Sequence, residues 1–441
     1  MKRLLPLLLC AVLALFCATT AQAAGVSITL TASEYALHYA FDAGAQDPFV
    51  ILEYTTPAEK GWMMLYSEDG HFEGDVSLAY SGAGGKTSVA LTSARTTGSI
   101  GKASTTLPKA ADYQKPTGKS NAKVMDFVLT ETPEGFHYAF NAIGTDYMLL
   151  YWRSKEQTVT QPVYPDENGH YEGDVVSELT FARTQFTVQV KSGSGSMKKE
   201  ATVRKGYQAP EAPQRQEGRL SGVTVCIDAG HQENGRFVNE PIGPGLSGST
   251  SGKGGMAQGT KTNRRESIVC LEIGMLLRDE LLRQGANVVM TREDQTTFHT
   301  NIERCEIAEA GGAQIMLRLH CNNSSNRSKR GIQVYGPLNS DYAKAVADAD
   351  TYREMGQKLL DAMKTRVGMT LANSTGMVRL NDNYVGNNWA KMMCFLVEMG
   401  YLSNPAEEYL LVTPVYQQWL AEGMADGVYE IAVARGWVQA Q

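Results

Sequence analysis

Beyond residue 219 the chain alternates short apolar runs with longer stretches of helical period. Val223 to Asp228, Asn287 to Thr291, Gln314 to His320, Ile332 to Tyr335 and Met393 to Glu398 have the length and β-branched or apolar content of strands. Glu266 to Arg283, Ile302 to Ala310, Tyr352 to Thr365 and Val415 to Ala434 repeat their apolar positions at helical spacing. This alternation predicts an α/β domain over residues 219–438, a twisted, mostly parallel sheet flanked by helices. Ahead of it, Tyr, Phe, Val and Thr alternate with polar residues between Gly, Asp and Asn turns, which predicts small antiparallel β-sandwiches.

The all-β half repeats itself. Leu37-His38-Tyr39-Ala40-Phe41-Asp42-Ala43 returns 99 residues later as Phe136-His137-Tyr138-Ala139-Phe140-Asn141-Ala142. Asp69-Gly70-His71-Phe72-Glu73-Gly74-Asp75-Val76 returns at the same offset as Asn168-Gly169-His170-Tyr171-Glu172-Gly173-Asp174-Val175. Two sandwich-like repeats are therefore expected at 25–103 and 123–204, with hairpin turns at Asp69-Gly70 and Asn168-Gly169. Polar linkers are expected at 104–122 and 205–218. The repeated histidines belong to strands and turns of this pattern, so they read as structural rather than as metal ligands.

Lys2 and Arg3, the apolar run Leu4 to Phe16 and Ala21-Gln22-Ala23 have the form of a secretory signal peptide spanning 1–23. No later run is long and apolar enough for a membrane span. The expectation is an exported protein of the cell wall, periplasm or extracellular space, with no membrane span after processing. A net charge of −6 without a basic stretch speaks against nucleic-acid binding. Five of seven cysteines lie outside the signal segment, all in the α/β half and mostly in apolar contexts. That odd set suits buried free thiols better than a disulfide framework.

Two of the three histidines in the α/β domain end predicted strands. His231 follows the first strand through Asp228-Ala229-Gly230, and His320 closes Ile315 to Leu319. C-terminal strand ends are where open α/β sheets gather ligands. Glu266, at the start of the first helix, would lie on the same rim as a third ligand for one Zn2+ ion. Glu398 ends the last strand, where an acidic side chain has no packing role and is placed to accept a proton. A histidine at a strand end is also a common structural residue, and these positions alone leave both readings open.

The local sequences resemble one family. Val225-Cys226-Ile227-Asp228-Ala229-Gly230-His231, Glu266 with its helix, Met290-Thr291-Arg292-Glu293-Asp294 and Arg304 with Ile307-Ala308 occur in its order. Leu319-His320-Cys321-Asn322 with Gly331, and Phe395-Leu396-Val397-Glu398-Met399-Gly400-Tyr401-Leu402-Ser403-Asn404-Pro405, complete the set. Together they are similar to the zinc-dependent N-acetylmuramoyl-L-alanine amidases of the amidase-3 group. The resemblance implies that His231, Glu266 and His320 bind zinc and that Glu398 is the catalytic carboxylate, with Asn322 a candidate substrate contact. It implies peptidoglycan as substrate, cut at the amide between N-acetylmuramic acid and L-alanine. The repeats, which the resemblance does not cover, either bind wall polymer or space the enzyme outward. A catalytically inactive wall-binding protein and a zinc peptidase cutting elsewhere in the stem peptide are the alternatives.

Cys321 and Cys270 stand where the family favours Ala and Asn. Cys321 should point away from His320, and Cys270 reads as packing. The 34 residues between His231 and Glu266 are rich in Gly and Ser but miss the phosphate-loop spacing, and read as a flexible wall of the substrate groove. Between Gly336 and Tyr352 there is no room for a long helical insertion that would cover the site. His299 reads as a surface residue, Arg292 as support for the fold, and Asn404 before Pro405 as a helix cap.

Overall fold

A computed structural model describes residues 19–21, 26–33, 36–57, 60–77, 84–96, 98–109, 123–132, 135–143, 148–153, 158–163, 165–176, 183–192, 195–204, 210–232, 238–250, 255–262, 264–368 and 378–440. The chain divides into two compact units, residues 1–115 and 116–441. Of the expected signal peptide only Thr19–Ala21 is among the described residues. Residues 110–122 and 205–209 of the expected linkers lie outside them.

The first unit holds β1 (Thr19–Ala21), β2 (Ile28–Ala32), β3 (Ala36–Asp42), β4 (Phe49–Thr55), β5 (Lys60–Tyr66), β6 (His71–Ser77), β7 (Gly85–Ser93) and β8 (Ser99–Leu107). They form two antiparallel sheets, β1-β2-β3-β6 and β5-β4-β7-β8. Inward side chains from both sheets, among them Leu30, Tyr39, Phe41, Leu52, Phe72 and Leu91, make one apolar core. β8 runs on to Leu107, past the expected boundary at 103. Its inward positions Ala103 and Thr105 are small, so the alternation gives little hydrophobic signal even though both are buried.

The second unit begins with β9 (Lys123–Thr132), β10 (Gly135–Ile143), β11 (Met148–Arg153), β12 (Thr158–Val163), β13 (His170–Val176), β14 (Arg183–Ser192) and β15 (Gly195–Arg204). Their sheets, β13-β10-β9 and β12-β11-β14-β15, enclose Phe136, Phe140, Trp152, Tyr171 and Val188. The strands keep the offset of the sequence: β3 and β10 start at Ala36 and Gly135, β6 and β13 at His71 and His170. Gly70 and Gly169 have φ of 83° and 77°, the backbone their turns require. Cross-strand polar pairs recur as well. His38 Nδ1 lies 3.1 Å from Asp75 Oδ1 and His137 Nδ1 2.8 Å from Asp174 Oδ1. His71 Nδ1 is 2.7 Å from Asp42 Oδ1 and His170 Nδ1 is 2.9 Å from Asn141 Oδ1.

The remainder of the second unit is α/β. In order it contains β16 (Thr224–Ala229), α1 (Glu266–Arg283), β17 (Asn287–Met290), α2 (Asn301–Ala310), β18 (Ile315–Asn322), β19 (Gln333–Gly336) and α3 (Asp341–Val346). α4 (Ala349–Val367), β20 (Val378–Leu380), α5 (Val385–Trp389), β21 (Met393–Tyr401), α6 (Glu407–Leu411) and α7 (Pro414–Ala434) complete it. The sheet order is β17-β16-β18-β21-β19-β20, and every adjacent pair is parallel except β19 with β21.

Helices cover both faces, which is why the strands read as nearly continuous apolar runs. Ile227, Ala229 and Leu319 meet α1 at Gly274. Cys226, Met316 and Cys394, on the opposite face, pack with Cys305 and Ala308 of α2 and with Ala390. α7 packs against α1 and α4. The five cysteines of the α/β domain are buried and free.

The expected second linker is in part docked. Gln216 N–H donates to Leu282 O (3.0 Å), Arg215 Nη1 to Gly285 O (2.9 Å) and Arg278 Nη2 to Pro210 O (3.0 Å). These bonds hold residues 210–218 against the end of α1. Between Gly336 and α4 there is room only for the six-residue α3. Among the described residues no helix is long and apolar enough to cross a membrane.

Candidate metal centre and active site

β16 ends at Ala229 and the chain turns through Gly230 into His231, whose φ of 58° is left-handed. That conformation costs about 1–2 kcal/mol in a non-glycine residue, so it must be held from outside. Arg292 and Arg304 hold it. Arg292 donates from Nε to Ala229 O (2.7 Å) and from Nη2 to Gly230 O (2.9 Å). Arg304 donates from Nη1 to Ala229 O (2.9 Å) and from Nη2 to His231 O (3.1 Å). Arg292 thus supports the backbone of the ligand loop.

Asp228 anchors Arg304 together with Arg318. It is fully buried, pairs with Arg304, lies 2.9 Å from Arg318 Nε and accepts Thr291 Oγ1–H at 2.7 Å. Burial alone would raise its carboxyl, but the two guanidinium groups outweigh that and hold it well below the usual range. Burial brings Arg292 itself down to about 9, and the charge of Arg304 adds to the effect.

His320 stands near the end of β18, just before an irregularity in its pairing with β21. Glu266 is the first residue of α1, and its carboxylate is the centre of the site. Oε1 lies 3.0 Å from His231 Nε2 and 3.0 Å from His320 Nδ1, and it accepts Cys321 N–H at 3.0 Å. Oε2 accepts Ala257 N–H at 2.7 Å. The two imidazole rings meet edge to face at 4.9 Å. One ligand atom from each of His231, Glu266 and His320 lies within 4.8 Å of the others. Against the penalty of burial, the two histidines keep Glu266 below the usual carboxylate range. Burial lowers His320, which favours the neutral imidazole that can ligate.

Glu398 pairs in register with His320 across β18 and β21, which places both side chains on the same face of the sheet. Its Oε2 is buried without a hydrogen-bond partner, as is His320 Nε2. Burial pushes Glu398 well above the usual carboxylate range, and the charge of Glu266 pushes it further.

Asn322 is tied into the protein: Oδ1 accepts Asn323 N–H at 2.8 Å and Nδ2 donates to Gln333 Oε1 at 3.1 Å. The same Gln333 oxygen accepts the hydroxyls of Tyr335 at 2.7 Å and Tyr401 at 3.3 Å. Gln333 sits opposite Glu398 in the antiparallel β19–β21 pair. It was absent from the expected site, although a lone amide inside the apolar stretch Gly331-Ile332-Gln333-Val334-Tyr335 was the available signal.

Cys270 and Cys321 lie beside each other in the interior, and neither joins the group of three ligands. His299 is half-buried, its carbonyl accepting Arg304 Nε–H at 3.3 Å. Asn404 Oδ1 accepts the N–H groups of Ala406 (3.0 Å) and Glu407 (3.1 Å), capping the turn that enters α6. The described parts of the long loop before Glu266 are anchored rather than loose. Glu240, buried, accepts Ile302 N–H at 2.8 Å and Asn301 Nδ2–H at 2.6 Å, while Glu408 accepts Lys261 N–H at 2.9 Å. Residues 233–237, 251–254 and 263 of that loop lie outside the described residues.

Residues 225–430 match the family Amidase_3, described as N-acetylmuramoyl-L-alanine amidase. Over 231 residues the chain is 26% identical to the germination-specific N-acetylmuramoyl-L-alanine amidase of Bacillus subtilis, covering 49% of this chain and 83% of that protein. It is 27% identical over 218 residues to the probable cell wall amidase LytH of Staphylococcus aureus, covering 48% of this chain and 60% of that one. Among solved structures it is similar to an N-acetylmuramoyl-L-alanine amidase from Clostridium difficile 630, at 23% identity and a TM-score of 0.38, covering 48% of this chain and 96% of that one. The chain carries an Amidase_3 domain over residues 225–430.

Proposed function

We propose that this protein is an exported, zinc-dependent peptidoglycan hydrolase that cleaves the amide between N-acetylmuramic acid and the L-alanine of the stem peptide. The observation that carries the reading is Glu266 Oε1, set 3.0 Å from a nitrogen of each of two imidazoles, with Glu398 beside them in register. Two nitrogens and a carboxylate oxygen are a donor set that suits zinc and leaves a coordination position open. The buried, unpartnered atom Glu398 Oε2 fits a site that awaits a reactant, because an unpaired buried polar atom costs about 1–3 kcal/mol.

A zinc ion held by His231, Glu266 and His320 supplies Lewis acidity toward the scissile carbonyl and toward water. The protein supplies the remainder. Glu266 and the backbone clamp around His231 fix the imidazoles before substrate arrives. Glu398 accepts the proton of the attacking water and returns it to the leaving amine of L-alanine, an amine being expelled only once protonated.

The repeats at 25–103 and 123–204 are read as products of one tandem duplication, and they hold the enzyme on wall polymer. Their aromatic content suits stacking on sugars, whereas the chain's net charge of −6 does not suit attraction to anionic polymers. Sedimentation with sacculi of the full chain, against a chain lacking 24–204, tests that role. The activity is tested by digesting purified peptidoglycan with wild type and Glu398→Ala and weighing the fragments by mass spectrometry. Wild type should release peptides with a free L-alanine amine and the variant none. Release of peptides cut elsewhere in the stem would replace the amidase with a peptidase.

A further inference from the structure

The hydrogen bonds around Gln333 fix which way its amide points. Asn323 N–H donates to Asn322 Oδ1, so the other end of that amide is the donor Nδ2, and Nδ2 meets Gln333 at Oε1. The Tyr335 and Tyr401 hydroxyls converge on the same oxygen. With Oε1 taken by three donors, Nε2 is the free end: none of the hydrogen bonds among the described residues uses it. The side chain stands beside Glu398 on the face that Glu398 shares with His320. His320, Glu398 and Gln333 therefore form one row across β18, β21 and β19.

The row has an order, and the scissile region of the substrate has a matching one. The carbonyl under attack belongs at the ligand end, the leaving nitrogen at Glu398, and the carbonyl of the residue that owns that nitrogen comes next. Strands lie about 4.8 Å apart, and one extended residue advances about 3.5 Å, so the two series stay within reach of each other. We propose that Gln333 is a substrate-positioning residue whose Nε2–H donates to the carbonyl oxygen of the L-alanine whose amine departs. This assignment rests on the amidase reading. An amide donor in this place selects a peptide carbonyl over an amine or a methylene group, and it sets the leaving nitrogen over Glu398.

The test compares a soluble N-acetylmuramoyl-L-alanyl peptide with its neutral analogue in which the CO–NH unit that follows the L-alanyl Cα is replaced by E-CH=CH, which removes the carbonyl without adding a charge. On the full-length wild type, removing the carbonyl should lower kcat/KM about tenfold, the effect of one hydrogen bond to an aligned donor. Gln333→Glu keeps an oxygen for Asn322, Tyr335 and Tyr401 but loses the donor, and Gln333→Leu loses both. Each variant should discriminate between the two substrates by less than about twofold. The ratio is taken within one enzyme, so a changed charge beside Glu398 cancels. Calorimetric binding of the released L-alanyl peptide should weaken in parallel in both variants, a readout independent of turnover. Retained tenfold discrimination in either folded variant overturns the assignment, as does wild type that cleaves both substrates equally well. Wild type that cleaves neither overturns the amidase reading and this assignment with it.

Discussion

Gly230 lies between the last residue of β16 and His231, and its substitution by alanine probes the whole site through one methyl group. A Cβ at this position would fall 2.4 Å from Leu319 O and 2.6 Å from His320 Cε1. Leu319 O cannot yield by rotating a side chain: it belongs to the central strand β18 and accepts Gly230 N–H at 2.9 Å. Either β16 and β18 separate at the rim or the His320 ring swings off Glu266. Overpacking of this kind costs about 1–3 kcal/mol, somewhat offset by the lower entropy of the unfolded alanine chain. Displacing a ligand ring should weaken zinc binding about 10- to 100-fold, the range seen when ligand orientation is lost. Gly274→Ala is the control, since its Cβ would meet Ile227 Cγ2 at an ordinary 3.5 Å inside α1 and should stabilise by about 0.5–1 kcal/mol. Zinc affinity from chelator competition and urea unfolding of the metal-free protein measure the two effects. Wild-type stability and wild-type affinity in Gly230→Ala would refute the argument.

Three further outcomes are expected. Asp228→Asn leaves Arg304 and Arg318 buried without their shared counter-charge and should destabilise the fold by about 3–5 kcal/mol in urea unfolding. Glu407 accepts Gly331 N–H at 2.7 Å and Tyr401 N–H at 2.8 Å, and burial pushes its carboxyl up to about 7. The folded state thus binds this proton more tightly than the unfolded chain does, so its contribution is full below about pH 4.5 and is lost as pH rises through 7, by up to about 3 kcal/mol. The difference in unfolding free energy between wild type and Glu407→Gln should shift in that direction between pH 5 and pH 8; a difference independent of pH would contradict it. Glu398→Gln removes a carboxylate that burial penalises and that Glu266 repels, and should raise the melting temperature of the metal-free protein by a few degrees while abolishing peptidoglycan cleavage; a lower melting temperature would contradict this electrostatic account.

Much of the α/β domain is legible in the sequence because its signals are periodic and long. Glu266 to Arg283 is read as a helix and forms one with the same ends, and the five anticipated strands all form. Short elements escape: α3, α5 and α6 have six, five and five residues, too few turns for an apolar period to declare itself. Anchoring by a carboxylate is equally silent. Nothing local marks Glu240 or Glu408 as the residues that pin a Gly/Ser-rich loop, because their partners Ile302 and Lys261 lie far away in the chain. The proposed ligands stand out in the sequence for a different reason. Strand-end histidines are few, and only one acidic residue begins the helix that follows the first of them. Asp228, Arg292 and Arg304 lie in the same motifs but serve as the clamp that keeps His231 in a left-handed conformation.

Gln333, the proposed positioning residue, is hidden in the sequence by direction. In a parallel sheet each strand offers its last residue to the catalytic rim, so attention to C-terminal strand ends finds His231, His320 and Glu398. β19, with β20 parallel to it, runs against β21; β19 enters the sheet from that rim, and it therefore offers its first residue. That residue is Gln333, delivered by the loop that leaves Asn322 and turns at Gly331, whose φ of 103° only glycine adopts readily. Glu407 fixes the entry point by accepting N–H groups from both Gly331 and Tyr401, so the start of β19 and the end of β21 are set by one carboxylate. The antiparallel strand thus widens the row of polar side chains from two strands to three without lengthening any parallel strand. It places a hydrogen-bond donor on the far side of Glu398 from the ligands, where a peptide leaving the site would lie.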